Sequence, residues 1–112
     1  MPSLGPPEAM PGLPTLEPEQ IAALIKLGQD LLKRGDIASA RFLLKRAAIE
    51  GNAQAAFELG LTFDQPKPLL AQSWALGFGP DVGQAREWYK RAIKLGSTEA
   101  SRRLDRLSSM PK

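Results

Sequence analysis

The chain has no cysteine and no histidine among its 112 residues. Without cysteine there is no disulfide, no thiolate nucleophile and no zinc–thiolate site. Without histidine the commonest general base and the commonest metal ligand are both missing. Aromatic residues are scarce, at 6%, while alanine occurs 15 times. Small side chains let helix axes approach closely, so this balance suits packed helices better than a thick sheet core. Strand patterning is absent, because no stretch alternates apolar and polar residues. Long apolar runs are absent too. The longest uncharged run in the helical part, Pro68–Pro80, is 13 residues broken by glycine and proline, too short to span a bilayer. The N-terminus carries no basic segment followed by an apolar core, so no signal peptide is visible. These absences leave the cytoplasm as the default compartment, or the periplasm if the chain is a piece of a membrane-anchored protein. Neither sign of charge dominates: 15 basic residues face 12 acidic ones, for a net charge of +3, and the long-range field is modest.

What the chain does have is an internal repeat. Asp36–Ala55 (DIASARFLLKRAAIEGNAQA) aligns with Asp81–Ala100 (DVGQAREWYKRAIKLGSTEA) at an offset of 45, with Asp36/Asp81, Ala40/Ala85, Arg41/Arg86, Lys45/Lys90, Arg46/Arg91, Ala47/Ala92, Gly51/Gly96 and Ala55/Ala100 identical. The pair Leu27-Gly28 returns as Leu59-Gly60 at an offset of only 32. The difference of 13 residues is an insertion in the second unit, within Gln65–Pro80 (QPKPLLAQSWALGFGP). Repeats of this length mark helical solenoids, whose units bury their apolar faces against one another.

Punctuation divides the repeats into five helices. Pro18 suits the first helical position, where the missing N–H costs nothing, and Ile21, Leu24, Ile25, Leu31 and Leu32 fall on one face of that helix. Asp36, Asn52, Asp81 and Ser97 are N-caps for the next four, and Gly35, Gly51 and Gly96 are stops. The inward residues are Ala40, Leu43, Leu44, Ala47 and Ala48; Ala55, Ala56, Leu59 and Phe63; Val82, Ala85, Trp88, Tyr89, Ala92 and Ile93; and Ala100, Leu104 and Leu107. Gly28 and Gly60 cost helix propensity, about 1 kcal/mol each against alanine, and imply close approach of a neighbouring helix. The expectation is an all-α domain over residues 18–109: a short right-handed α-solenoid of about two and a half antiparallel hairpins. A short extra helix over Leu69–Leu76 in the insertion would fold back as a lid. Residues 1–17, with Pro2, Pro6, Pro7, Pro11 and Pro14, read as a disordered segment.

The residues that carry the repeat also carry a resemblance. Leu59-Gly60 on one helix, followed by Gly79-x-Asp81-x-x-x-Ala85-x-x-Trp88-Tyr89-x-x-Ala92-x-x-x-Gly96-x-x-x-Ala100, resembles the Sel1-like repeat, a relative of the tetratricopeptide repeat, over roughly Ile21 to Leu107. The earlier unit keeps Ala40, Ala47 and Gly51 but has Leu43-Leu44 for Trp-Tyr, and the insertion departs from the family's short interhelical loop. The pattern is similar to short Sel1-like domains of bacterial proteins. What the resemblance implies is a protein–protein interaction or adaptor role, with no cofactor and no catalysis.

The residues themselves point the same way. Ser39, Ser73 and Ser97 have no histidine to activate them, the paired carboxylates sit in caps and loops, and Gly77-Phe78-Gly79 is too short for a phosphate loop, so an enzyme is not expected. Basic residues at Arg41/Lys45/Arg46, Arg86/Lys90/Arg91 and Arg102/Arg103/Arg106 could follow phosphates. They are better explained by helix dipoles and by i, i+4 pairs such as Glu87–Arg91. A protein or peptide partner is therefore expected, on first-helix positions outside the apolar stripe: Lys26, Asp30 and Lys33, then Glu58, Thr62 and Asp64. Trp74 and Phe78 add apolar surface from the insertion. Two rivals stay open, a homo-oligomerisation module built from incomplete solenoid ends and a basic repeat on nucleic acid.

Overall fold

The computed structural model describes residues 15–64 and 80–109. Five α-helices make up most of them: α1 (Pro18–Lys33), α2 (Ile37–Ile49), α3 (Ala53–Phe63), α4 (Val82–Lys94) and α5 (Thr98–Ser109). The expected all-α class is found, with no strand among the described residues. Trp74, Phe78, the expected lid helix over Leu69–Leu76 and the proline-rich residues 1–14 lie outside the described residues.

Each start signal acts as its chemistry dictates. Pro18 opens α1, and the Glu17 amide donates to Gln20 Oε1 at 2.8 Å. Asp36 accepts from the Ser39 amide, Asn52 from Ala55, Asp81 from Gln84 and Ser97 from Ala100. The stops are more ordered than a glycine alone requires. Gly35, Gly51 and Gly96 have φ of 85°, 97° and 109°, the left-handed region that a Cβ disfavours. Around each, the same two bonds close the helix. The glycine amide reaches three residues back, to Leu32, Ala48 and Ile93, and the next amide five back, to Leu31, Ala47 and Ala92. This is the Schellman pattern. The residue after each glycine is also the N-cap of the following helix, so one short junction ends one helix and aims the next.

Among the described residues of the junction between α3 and α4 there is no such glycine. There the Asp81 amide donates to the Phe63 carbonyl at 2.9 Å. The two stems of the insertion are thus bonded to each other across 17 intervening residues, and α4 leaves α3 as if from a short turn.

The helices pack in chain order, α1 on α2, α2 on α3, α3 on α4 and α4 on α5. The core is built from Ile25, Leu44, Ala47, Ala48, Ala55, Ala56, Leu59, Ala85, Tyr89, Ala92, Ala100 and Leu107. Leu44 and Tyr89, equivalent positions at the repeat offset, are both fully buried. Each presses on the equivalent glycine of the preceding helix. A Cβ on Gly28 would lie 3.0 Å from Leu44 Cγ, and one on Gly60 would lie 2.6 Å from Tyr89 Cδ1 and Cε1. Trp88 is half-buried and packs on the edge of the core.

Three expectations need correction. Val82, expected to face inward, is half-exposed in the first turn of α4. Ile37 and Ile49, at the two ends of α2, are buried instead. Glu87 pairs with Lys90 at 3.7 Å, while Arg91 sits over the Trp88 ring at 5.3 Å, an arrangement that shields apolar surface as well as placing charge.

The two glycine contacts differ in how far their partners can yield. Gly60→Ala drives a methyl into a rigid ring and should cost about 2 kcal/mol in urea denaturation. Gly28→Ala meets the branched end of a leucine. It gains about 1 kcal/mol of helix propensity, and should leave stability nearly unchanged. An equal loss for both would contradict this packing.

Candidate functional site

A groove of about 730 Å³ runs along α3, within the range of small-ligand pockets. One wall comes from the α1–α2 junction through Leu32 and Ile37, and the far end from the α4–α5 junction through Gly96, Ser97, Thr98 and Glu99. The floor is α3 itself, with Ala53, Gln54, Phe57, Glu58, Leu61 and Thr62. Phe57 and Leu61 are held half-buried against the core, and the Phe57 ring leans on Tyr89 at 5.9 Å between centroids. Apolar side chains therefore face the opening from a rigid support.

The polar features of the groove are distinctive in sign. The Glu58 carboxylate accepts from Gln29 Nε2 at both oxygens, at 2.9 and 2.8 Å, and from Gln54 Nε2 at 2.7 Å. These donors come from α1 and from the previous turn of α3, so the carboxylate is fixed in place. Both donors are neutral amides, which orient the charge without cancelling it. Glu99 lines the same groove from the first turn of α5. Among the described residues on its walls there is no lysine or arginine, although the chain as a whole is basic.

The sequence-predicted surface divides sharply. Glu58 and Thr62 line the groove, whereas Lys26, Asp30 and Lys33 do not. Lys26 and Lys33 are exposed and Asp30 is half-buried on α1. Thr62, expected outside the apolar stripe, is buried, at 4% exposure. Its hydroxyl donates to the Leu59 carbonyl at 2.7 Å and accepts from Arg41 Nε at 3.0 Å. The position tolerates a polar atom because α2 supplies that partner. Asp64 is also committed to the fold, accepting the Tyr89 hydroxyl at 2.8 Å. Burial, together with this bond, pushes the Tyr89 phenol well above its usual range. Phe57, Leu61, Gln54 and Glu99 were missed. The signal for the first two was available, since both are apolar residues of α3 left outside the stripe assigned to its core face.

Arg41 ties α2 to the end of α3. Its second nitrogen donates to the Thr62 carbonyl at 2.9 Å, and its guanidinium lies 3.8 Å from the centre of the Phe63 ring. Burial lowers its pKa, opposed by the nearby Asp81 carboxylate. The clasp fixes the stem from which the insertion leaves. Among the described residues, no group of three or more histidine, cysteine or carboxylate side chains could hold a metal ion, and no helix is long and apolar enough to cross a membrane.

A scan against protein-family models and searches of the curated proteins and of the solved structures find no match to this chain.

Thr62→Val keeps the shape but deprives Arg41 of its hydroxyl acceptor. Chemical denaturation should register a loss of about 1–2 kcal/mol. No loss would mean that the hydroxyl contact is dispensable and that the Thr62 carbonyl and the Phe63 ring are enough to hold Arg41.

Proposed function

We propose that the chain is a non-enzymatic interaction module that takes a peptide segment of a protein partner into the groove along α3. The observation that carries this reading is the combination of an apolar floor with two carboxylates and no cation on the described walls. Such a lining favours a segment that offers apolar side chains together with a lysine or arginine. Helix order supports the same reading. Each helix packs on its chain neighbour, as in a short helical-repeat solenoid, and rigid repeats lose little ordering entropy on binding. The Sel1-like pattern of Asp81, Ala85, Trp88, Tyr89, Ala92, Gly96 and Ala100 belongs to the same class of adaptor.

A nucleic-acid role is less well supported. Arg41 is engaged by Thr62 and Phe63, Arg46 lies 3.6 Å from Glu50, and Arg91 covers Trp88. Three of the cations that could have followed phosphates are thus occupied within the fold.

The test is selection from a random displayed peptide library on the full chain, repeated with Glu58→Lys. Selected peptides should combine leucine, isoleucine or phenylalanine with lysine or arginine and weaken as salt rises. Glu58→Lys, folded by circular dichroism, should bind them at least about tenfold more weakly. Failure to select any peptide would overturn the module. Selection of uncharged or acidic peptides, unaffected by Glu58→Lys, would overturn the charge assignment alone.

A further inference from the structure

We infer that the groove selects lysine over arginine in its partner, because Gln29 occupies the face of the Glu58 carboxylate that a guanidinium would need. The inference rests on the peptide-binding reading of the groove and narrows it to one kind of side chain.

A carboxylate accepts along about four directions, two on each oxygen. The inner pair converge between the oxygens, where the parallel N–H groups of a guanidinium dock. In this chain that place is taken. Gln29 Nε2 lies 2.9 Å from Oε1 and 2.8 Å from Oε2 of Glu58, so it sits close to the bisector of the carboxylate. Gln54 Nε2 takes a further direction on Oε2, at 2.7 Å. Among the described residues, the direction left over is the outer side of Oε1.

The origin of the two amides shows which side of the carboxylate a ligand meets. Gln54 is exposed and lines the groove beside Glu58, whereas Gln29 is half-buried on α1 and does not line it. The forked face of Glu58 is therefore turned towards α1, and the groove receives its edge.

An edge and a fork suit different cations. Lysine carries a compact charge that a single acceptor can hold. Arginine draws its advantage from two parallel bonds. It could regain them here only by displacing Gln29, which would leave a half-buried amide without its acceptor. A guanidinium held by one bond also has more N–H donors still to satisfy than an ammonium has. The side chains of Phe57 and Leu61 on the groove floor offer those donors no acceptor, and each donor left unpaired is costly.

Competition between two displayed peptide libraries tests this. They are identical in their random flanks, and one fixes lysine and the other arginine at the central position. The two are mixed equally and selected on the full chain, and peptide pairs differing only at the fixed residue are then titrated. Lysine peptides should dominate and bind about threefold to tenfold more tightly than their arginine counterparts, the effect of one hydrogen bond. Gln29→Met removes the amide at similar length and opens the forked face, so it should abolish or reverse the preference. Gln29→Ala makes the same opening with a smaller side chain and should do the same. Gln54→Met opens only an outer direction and should retain the preference. Circular dichroism checks that each variant folds. If neither library yields a peptide, the groove reading fails and this inference with it. Arginine peptides that bind the parent chain as well or better, as stacking on Phe57 would favour, would overturn the lysine assignment alone. A lysine preference that survives in the folded Gln29 variants would do so too.

Discussion

The close approach of α3 and α4 at Gly60 is the contact on which the rest of the structure depends. The Tyr89 ring occupies the space that any Cβ on Gly60 would take, its hydroxyl reaches Asp64 at the end of α3, and its ring meets that of Phe57 at a tilt. One side chain thus joins the helices before and after the insertion, fixes one stem of that insertion and backs the groove floor. The Asp81 amide on the Phe63 carbonyl completes the closure. Leu44 on Gly28 is the same device in the earlier unit, with a smaller and more compliant side chain. Local cost and tertiary gain are coupled here, because a glycine that weakens its own helix permits the burial of the largest core residue in the next.

Much of this was legible from the residues alone. Pro18, the four caps and the three glycine stops are local signals, set by backbone geometry within a few residues, and they define the helices wherever the chain is described. The offsets of 45 and 32 also pair Leu44 with Tyr89 and Gly28 with Gly60. What was not legible depends on partners distant in sequence. Thr62 looked like a surface residue because nothing near it in sequence reveals that Arg41, 21 positions earlier, satisfies its hydroxyl. Asp64 looked like a loop carboxylate because its partner is 25 positions later. The groove was hidden for the same reason: its walls come from two interhelical junctions, which no single periodicity describes.

The distribution of charge follows from these constraints. A net basic chain uses arginines as structural ties, at Arg41 and Arg46, and as cover for Trp88 at Arg91. Carboxylates at Asp36 and Asp81 serve as caps. Glu58 stands apart from both uses, being held by two amides whose neutrality leaves its charge to act on the groove. Residues that hold the fold and residues that line the groove overlap, at Phe57, which leans on Tyr89, and at Thr62, which Arg41 holds.

The central claim is that the Gly60–Tyr89 contact makes one cooperative unit from helices that the insertion separates in sequence. Native-state hydrogen exchange tests it most directly. The account predicts that the slowest amides of α2, α3 and α4 share a single opening free energy, while α1 and α5, the first and last of the described helices, exchange faster. Two distinct opening free energies, one for α1 to α3 and another for α4 and α5, would contradict it.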